Sequence, residues 1–269
     1  MREALFGVAV GRKGVGKSFT TMKMIESYVR GNSKSLPRRA LLMDVNDEFE
    51  NVKAISPKDV AKFSVHPKIE MRRIRAFNPD GTKMTLKDYA NTLFMVLNDF
   101  RGGLLLIEDI NRYLSHNFPQ DLVGALCTNR HSSVDIIMHY QSIGKVNPTI
   151  WQNINYLRFH KNTDSVDRHK NKFEDKFEAF KLIEIMVNKQ FFNGNNRFFV
   201  FLDCDREKIE GNFNKQMVDD CINEYISLSY HSRVKPLVNM IDNKGRKMYT
   251  PETAIAHLKN LLIKTYFTK

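Results

Sequence analysis

Ala4 to Val10 is an apolar run that stops abruptly at glycines, and Phe19 to Val29 then carries Met22, Met24, Ile25 and Val29 at helix-compatible spacing without proline. The pattern predicts a buried strand, a glycine-rich turn and a helix. Breakers from Gly31 to Pro37 lead to a second strand over Arg39 to Val45, which ends among carboxylates from Asp44 to Glu48. A turn and short helix are expected around Pro57 to Ala61, and a third strand over Ile69 to Phe77, closed by the turn at Asn78 to Gly81. Thr85 to Phe100 is amphipathic at helical period, with Leu86, Tyr89, Leu93, Val96 and Leu97 on one side.

Leu104 to Ile107 is a continuous apolar run leading into Glu108 and Asp109, as expected for a parallel strand buried on both faces. A helix over about 121–128 and a second buried strand over Val134 to Tyr140, ending at Gln141, follow. Pro148 to Ile154 reads as a short helix, Tyr156 to His160 as a strand and Lys172 to Lys189 as a helix. Gln190 to Phe192, the turn Asn193 to Asn196, and Arg197 to Asp203 read as a hairpin or closing strand pair. Strand and helix alternate through 1–210, which predicts an α/β domain with a mostly parallel central sheet flanked by helices. Residues 211–269 differ: Lys215 to Leu228 and Pro251 to Tyr266 form two helix patterns, expected as a small helical C-terminal appendage. No internal repeat or low-complexity segment interrupts the chain.

Composition narrows the class. No apolar run in the 269 residues approaches the length of a membrane span, and the first is too short for a signal peptide, so an intracellular, cytoplasmic protein is expected. Cys127, Cys204 and Cys221 are widely spaced, with no C-x-x-C, which argues against a disulfide framework or a zinc site. The net charge of +12 favours a polyanionic partner such as DNA or RNA. Many basic proteins bind no nucleic acid, and the excess here is spread over Lys34 to Arg39, Lys68 to Arg75, Arg158 to Lys172 and Lys244 to Lys247.

The sharpest chemistry lies in Gly11, Arg12, Lys13, Gly14, Val15, Gly16, Lys17 and Ser18, which fit the phosphate-loop template G-x-x-x-x-G-K-[ST] in its strand-turn-helix setting. Backbone N–H groups of this turn, continuing to Phe19, would cradle a nucleotide β-phosphate. Lys17 would reach the β- and γ-phosphates, and Ser18 would place its hydroxyl on Mg2+. Phosphoryl transfer also needs carboxylates at a neighbouring strand end. Glu108 is assigned to the metal shell and Asp109 to the attacking water, although the commoner order is Asp then Glu. Gln141 stands where ligands bind in open α/β sheets and could contact the γ-phosphate and the water; a strand-end loop residue is the alternative. Asp44 and Glu48 fit either a metal water shell or a plain strand-end turn. His131, His139 and His160 lack metal-ligand spacing and suit packing or a subunit interface.

Taken in order, the phosphate loop, the strand from Met43 to Phe49, Leu104 to Asp109, Thr128 to His131 and Ile136 to Gln141 resemble the HerA/FtsK-type P-loop ATPases, a RecA/FtsK-like fold. The small viral and phage genome-packaging ATPases are nearest, with the zonular occludens toxin-like ATPases nearby. The resemblance covers about three quarters of the chain; it does not reach beyond Gly211, and the inverted Glu108–Asp109 pair departs from it. It implies ATP and Mg2+ as cofactors and a homo-oligomeric ring, commonly hexameric, that hydrolyses ATP between subunits and draws DNA through a basic channel. A capsid or portal partner, and host cytoplasm or the virion as location, follow from the viral form. It further implies an arginine lent by the neighbouring copy: Arg130, in the segment that matches the family's Arg-His pair, comes first and Arg158 second.

Two other readings are open. An ATP-dependent scaffold for virion or filament assembly, without translocation, shares these motifs. A P-loop kinase for a nucleotide or other small molecule needs an arginine-rich lid, and Ile143 to Ile154 contains no arginine. A guanine-recognition segment N-K-x-D is also absent, which disfavours a GTPase.

Overall fold

The computed structural model describes residues 3–33, 35–78, 80–110, 124–126 and 132–268. Its centre is an eight-stranded sheet in the order β3-β2-β4-β5-β1-β6-β7-β8. The strands are β1 (Phe6–Val10), β2 (Arg39–Asp44), β3 (Met71–Arg75), β4 (Gly103–Ile107), β5 (Asp135–Tyr140), β6 (Tyr156–His160), β7 (Phe199–Asp203) and β8 (Lys208–Gly211). The first six run parallel, while β7 and β8 are antiparallel to their neighbours. The expected mostly parallel α/β sheet is therefore the observed one. Every residue of β2 and β4 is buried, which is why those strands read as unbroken apolar runs rather than alternating ones.

Helices α1 (Lys17–Arg30), α2 (Val60–Val65), α3 (Leu86–Asp99), α4 (Pro148–Asn153) and α5 (Phe177–Phe192) flank the sheet. In α3, Thr85 caps the N-terminus through a capping box with Asp88, and Tyr89, Leu93 and Val96 are buried as the periodicity predicts. Leu86, in the first turn, is exposed instead. The larger core joins one sheet face to α3, α4 and α5; a smaller cluster centred on Ile25, Leu42 and Leu106 joins α1 to the other. Of the helix expected over 121–128, residues 124–126 are described and are helical; the remainder lies outside the described residues.

Two expectations change. The helix placed at Lys172 starts at Phe177, because Phe173 (φ −148°, ψ 44°) leaves helical geometry and 3-10 turns occupy Val166–Lys172 and Glu174–Lys176. The strand pair is not Gln190 to Phe192 with Arg197 to Asp203. The helix runs on to Phe192 and stops at Asn193 and Gly194 (φ 90°), and β7 pairs with β8 instead. Asp203 builds that turn by accepting the N–H groups of Asp205 and Arg206.

The C-terminal residues form α6 (Lys215–Leu228), α7 (Lys235–Val238) and α8 (Pro251–Leu262), the last extended by a π-turn over Ile263–Phe267. Val218, Cys221, Ile222 and Leu258 join the larger core, and the Cys221 thiol donates to the Leu182 carbonyl of α5. Among the described residues no helix is long and apolar enough to cross a membrane.

Several arginines of the basic clusters are paired internally, which leaves the net charge unchanged but ties those side chains to the fold. Arg73 pairs with Asp44 and Asp47, Arg75 with Asp47, Arg72 with Glu70, and Arg38 with Asp135. The cluster Lys68 to Arg75 is thus largely a structural brace between β3 and the end of β2.

Candidate functional site

β1 lies between β5 and β6, so the loop leaving its C-terminal end opens over the crevice where α/β sheets bind ligands. A Cβ on Gly11 would stand 2.6 Å from the His160 Cβ and 3.2 Å from the Val15 side chain, so only glycine lets the loop leave β1 this close to β6. Gly14 (φ 84°) and Gly16 (φ 86°) turn the loop back. Gly16 is also the N-cap of α1, and with no side chain capping it, the first-turn N–H groups face the cavity as an anion site would require. Val15 is buried beneath the loop, Arg12 binds the Lys161 carbonyl through its N–H, and Phe19 stands exposed in the first turn of α1.

The loop and four strand ends enclose a cavity of about 670 Å3, whose lining includes Lys13, Lys17, Ser18, Glu108, Asp109 and Gln141. The structure therefore brings together the loop, both carboxylates and the glutamine that the sequence singled out at separate positions. Lys17 Nζ donates to the carbonyls of Gly11 at 2.5 Å and Arg12 at 3.0 Å, held across its own loop. Burial lowers its affinity for a proton, while Asp109 and Glu108 work in the other direction.

Ser18 Oγ donates to Glu108 Oε1 at 2.6 Å, joining the start of α1 to the end of β4. The other oxygen, Oε2, is buried with no hydrogen-bond partner among the described residues. Burial pushes the Glu108 carboxyl up to about 7; the Ser18 hydrogen bond opposes this, and Asp109 and Asp44 add to it. A hydroxyl and a buried carboxylate with an unpartnered oxygen are hard oxygen donors of the kind Mg2+ accepts beside phosphate oxygens, so the residues fit that ion.

His139 supports this carboxylate from below. Arg158 donates to Thr21 Oγ1 at 2.5 Å, Thr21 meets His139 Nε2 at 2.8 Å, and His139 Nδ1 meets Glu108 Oε1 at 3.3 Å. An ionised Glu108 can only accept, which favours the neutral tautomer with its hydrogen on Nδ1, and Nε2 then accepts the proton of the Thr21 hydroxyl. Burial holds His139 well below its usual range, in keeping with a neutral ring. The sequence offered only packing or an interface for this histidine. Its lack of metal-ligand spacing gave no sign of a contact made through β5 and β4.

Asp109 ends β4 with φ 41°, an uncommon conformation for a residue with a side chain, and its Oδ2 accepts from Gln141 Nε2 and Asn46 Nδ2, each at 3.1 Å. Asn46 lies inside the strand-end segment that drew attention for its acids, but its role emerges only where β2 and β4 adjoin. Glu48 lines the same cavity; burial raises its carboxyl above the usual range, helped by Glu108, Asp109 and Asp44. Asp44 belongs to the turn instead: it accepts the N–H groups of Glu48 and Phe49 and pairs with Arg73 at 2.6 Å, fully buried.

Arg130 and His131 lie outside the described residues. Arg158 is described and is not available to a neighbour. Only 4% exposed, it binds the Lys17 carbonyl at 3.0 Å as well as Thr21, and so anchors α1 within its own chain. Arg197, which carried no sequence signal, enters the cavity from the turn before β7.

No family model and no curated protein matches the sequence. Solved structures do match the fold. The genome packaging NTPase B204 from Sulfolobus turreted icosahedral virus 2, in complex with AMP, has a TM-score of 0.53 at 16% identity, over 79% of this chain and 99% of that one. Its complex with AMPPCP has a TM-score of 0.51 at 15% identity, over 76% of this chain and 95% of that one. The DNA-packaging ATPase B204 from Sulfolobus turreted icosahedral virus gives 0.50 at 15% identity, over 78% and 97%. The N-terminal domain of zonular occludens toxin from Neisseria meningitidis overlaps less, with a TM-score of 0.34 at 10% identity over 60% and 79%. At these identities the likeness to the B204 structures establishes the fold, the one implied by the order of motifs.

Proposed function

We propose that this chain is a Mg2+-dependent ATPase that drives DNA translocation in viral or phage genome packaging, working as a homo-oligomeric ring. The observation that carries the ATPase reading is the 2.6 Å bond from Ser18 to Glu108, which joins the phosphate loop to the acidic end of β4. The fold shared with viral packaging NTPases supports the further step to packaging.

The chemistry follows from the residues present. The first-turn N–H groups of α1 and Lys17 bind the triphosphate and neutralise its β- and γ-oxygens. Ser18 and Glu108 would hold Mg2+, which supplies charge compensation between the phosphates when bound. Asp109, fixed by Asn46 and Gln141, lies at the cavity wall where it can orient a water and accept its proton. Attack of that water on the γ-phosphorus breaks the bond to the β-phosphate oxygen and yields ADP and inorganic phosphate. Because Gln141 is bonded to the base itself, it can couple the presence of the γ-phosphate to the position of Asp109. In this reading Arg130 lends transition-state charge to the adjacent copy in the ring.

ATP hydrolysis by the full chain, with and without single- and double-stranded DNA and alongside the particle mass, tests the reading. A rate that rises with DNA in a ring-sized particle is expected. Hydrolysis indifferent to DNA in a monomer overturns translocation and favours the assembly scaffold. No hydrolysis at all overturns the ATPase.

A further inference from the structure

The nucleotide cavity contains a cation that neither the phosphate loop nor a neighbouring subunit supplies. Arg197 sits on the short turn between α5 and β7. Two turn bonds hold it there, from Asn195 N–H to the Gln190 carbonyl at 3.0 Å and from Phe198 N–H to the Asn195 carbonyl at 3.2 Å. Strand direction explains why it reaches the site. β7 runs antiparallel to β6, with Phe199 opposite His160, so the residues just before β7 stand at the edge where the parallel strands end. A parallel β7 would have placed them at the opposite edge.

At that edge the Arg197 guanidinium lies 5.6 Å from the centre of the Phe19 ring, in the first turn of α1. A Cβ on Gly16 would come within 3.8 Å of Arg197 Cγ and Cδ, so its aliphatic stem runs close over the phosphate loop. Glu48, Glu108 and Asp109 line the same cavity, yet Arg197 forms no ion pair with any carboxylate among the described residues. An exposed guanidinium steered by an aromatic ring, over an uncapped helix N-terminus and without an acidic partner, has its donor fork free for an anion.

The geometry points to Arg197 as a nucleotide-contacting residue, which pairs in cis with phosphate oxygens of the triphosphate held by its own loop. This role rests on the ATP-binding reading above and adds to it a same-subunit guanidinium, separate from any arginine lent by a neighbour. Phe19 acts here as a positioning residue: its ring holds the guanidinium in place without neutralising it.

The test is Mg2+-ATP binding by calorimetry and steady-state hydrolysis in the full chain, comparing wild type with Arg197→Ala, Arg197→Lys and Lys17→Ala. Arg197→Ala is expected to weaken binding or lower kcat/KM by about 10- to 100-fold, with Arg197→Lys in between because it keeps the charge and loses the fork. Thermal unfolding should not change, since the side chain is exposed. Arg197→Ala within about twofold of wild type, while Lys17→Ala abolishes turnover, overturns the role and leaves the ATPase reading standing. Wild type that binds no ATP overturns both. Mixing Arg197→Ala with Lys17→Ala subunits separates cis from trans: a mixture no more active than its parts supports the cis assignment. Recovered turnover would show that the arginine serves a neighbour's site, and would overturn it.

Discussion

Glu108→Gln should make the nucleotide-free, metal-free protein more stable at alkaline pH while abolishing its turnover. Glu108 is 2% exposed and one of its oxygens has no partner among the described residues, so its ionised form is costly when the site is empty. Its carboxyl moves from an ordinary 4.5 to about 7 on folding, chiefly through burial. Between those values the folded chain binds more protons than the unfolded one, so stability falls as pH rises. The contribution of the protonated carboxyl is fully present below about 4.5 and lost above about 7. At about 1.4 kcal/mol per unit the whole effect is ~3 kcal/mol, of which ~2.5 kcal/mol falls between pH 5 and pH 8. Glutamine keeps an oxygen that can accept from Ser18 and does not titrate, so any fixed cost of the new amide is the same at both pH values. Urea or thermal unfolding of both proteins at pH 5 and pH 8, with a chelator present, isolates the titration as a difference of differences. The variant should gain on the order of 5 °C relative to wild type on moving from pH 5 to pH 8. Parallel stability curves across that range would refute the argument that Glu108 carries a buried, unpaired charge.

Three further substitutions probe the frame around the site. Arg73→Ala leaves the fully buried Asp44 without its cation and should cost about 3–5 kcal/mol in chemical unfolding, whereas Arg75→Ala, at an exposed pair, should leave stability unchanged within error. Equal effects of the two would contradict the assignment of Asp44 to the turn. His139→Ala removes the support beneath Glu108 and should lower kcat about 10- to 100-fold while raising the Mg2+ concentration for half-maximal rate. His139→Asn, whose amide nitrogen can stand near the Nδ1 position, should recover part of that loss, and an unchanged Mg2+ requirement would count against the support role. Gly11→Ala forces a methyl to within 2.6 Å of His160 Cβ and should weaken ATP binding at least tenfold, with loss of about 1–3 kcal/mol of stability. Wild-type affinity in that variant would show that the loop can leave β1 by another path.

The sheet was legible because its central strands are buried on both faces. Leu104 to Ile107 and Ala40 to Met43 have no polar face to alternate with, and the carboxylates after each run mark the edge where the crevice opens. The phosphate loop was legible for a different reason: glycine and lysine stand at fixed offsets that the backbone geometry demands. Interactions between distant strands were not. Arg158, the second candidate for an arginine lent to a neighbour, is enclosed because β6 lies beside β1 and Arg158 binds the Lys17 carbonyl of α1, and sequence spacing carries no record of that adjacency. The hairpin was misplaced for a related reason. Phe191 and Phe192 look like strand residues by type, yet they complete the last turn of α5, where Phe192 remains 76% exposed. Arg197 then reaches the cavity through the antiparallel sense of β7, a property of topology and not of any motif.

The departures from ideal local structure converge on one place. Asp109 adopts a left-handed conformation at a strand end, Glu108 keeps a buried oxygen without a partner, and burial raises the carboxyls of both Glu48 and Glu108. None of these is a consequence of poor packing, since the strands that deliver them are fully buried and the turn behind them is braced by Arg73. A fold chosen for stability alone would exchange Glu108 for an apolar residue and let Asp109 relax. Glu48, Glu108 and Asp109 face Lys13, Lys17 and Arg197 across the cavity, yet Lys17 is turned onto its own loop carbonyls and Arg197 onto an aromatic ring. Acids and bases that share a cavity without pairing are arranged for a third party bearing both signs of charge. A polyphosphate with a divalent cation has that composition: its anionic oxygens suit the lysines and the arginine, and its cation suits the carboxylates that are costly to ionise without it.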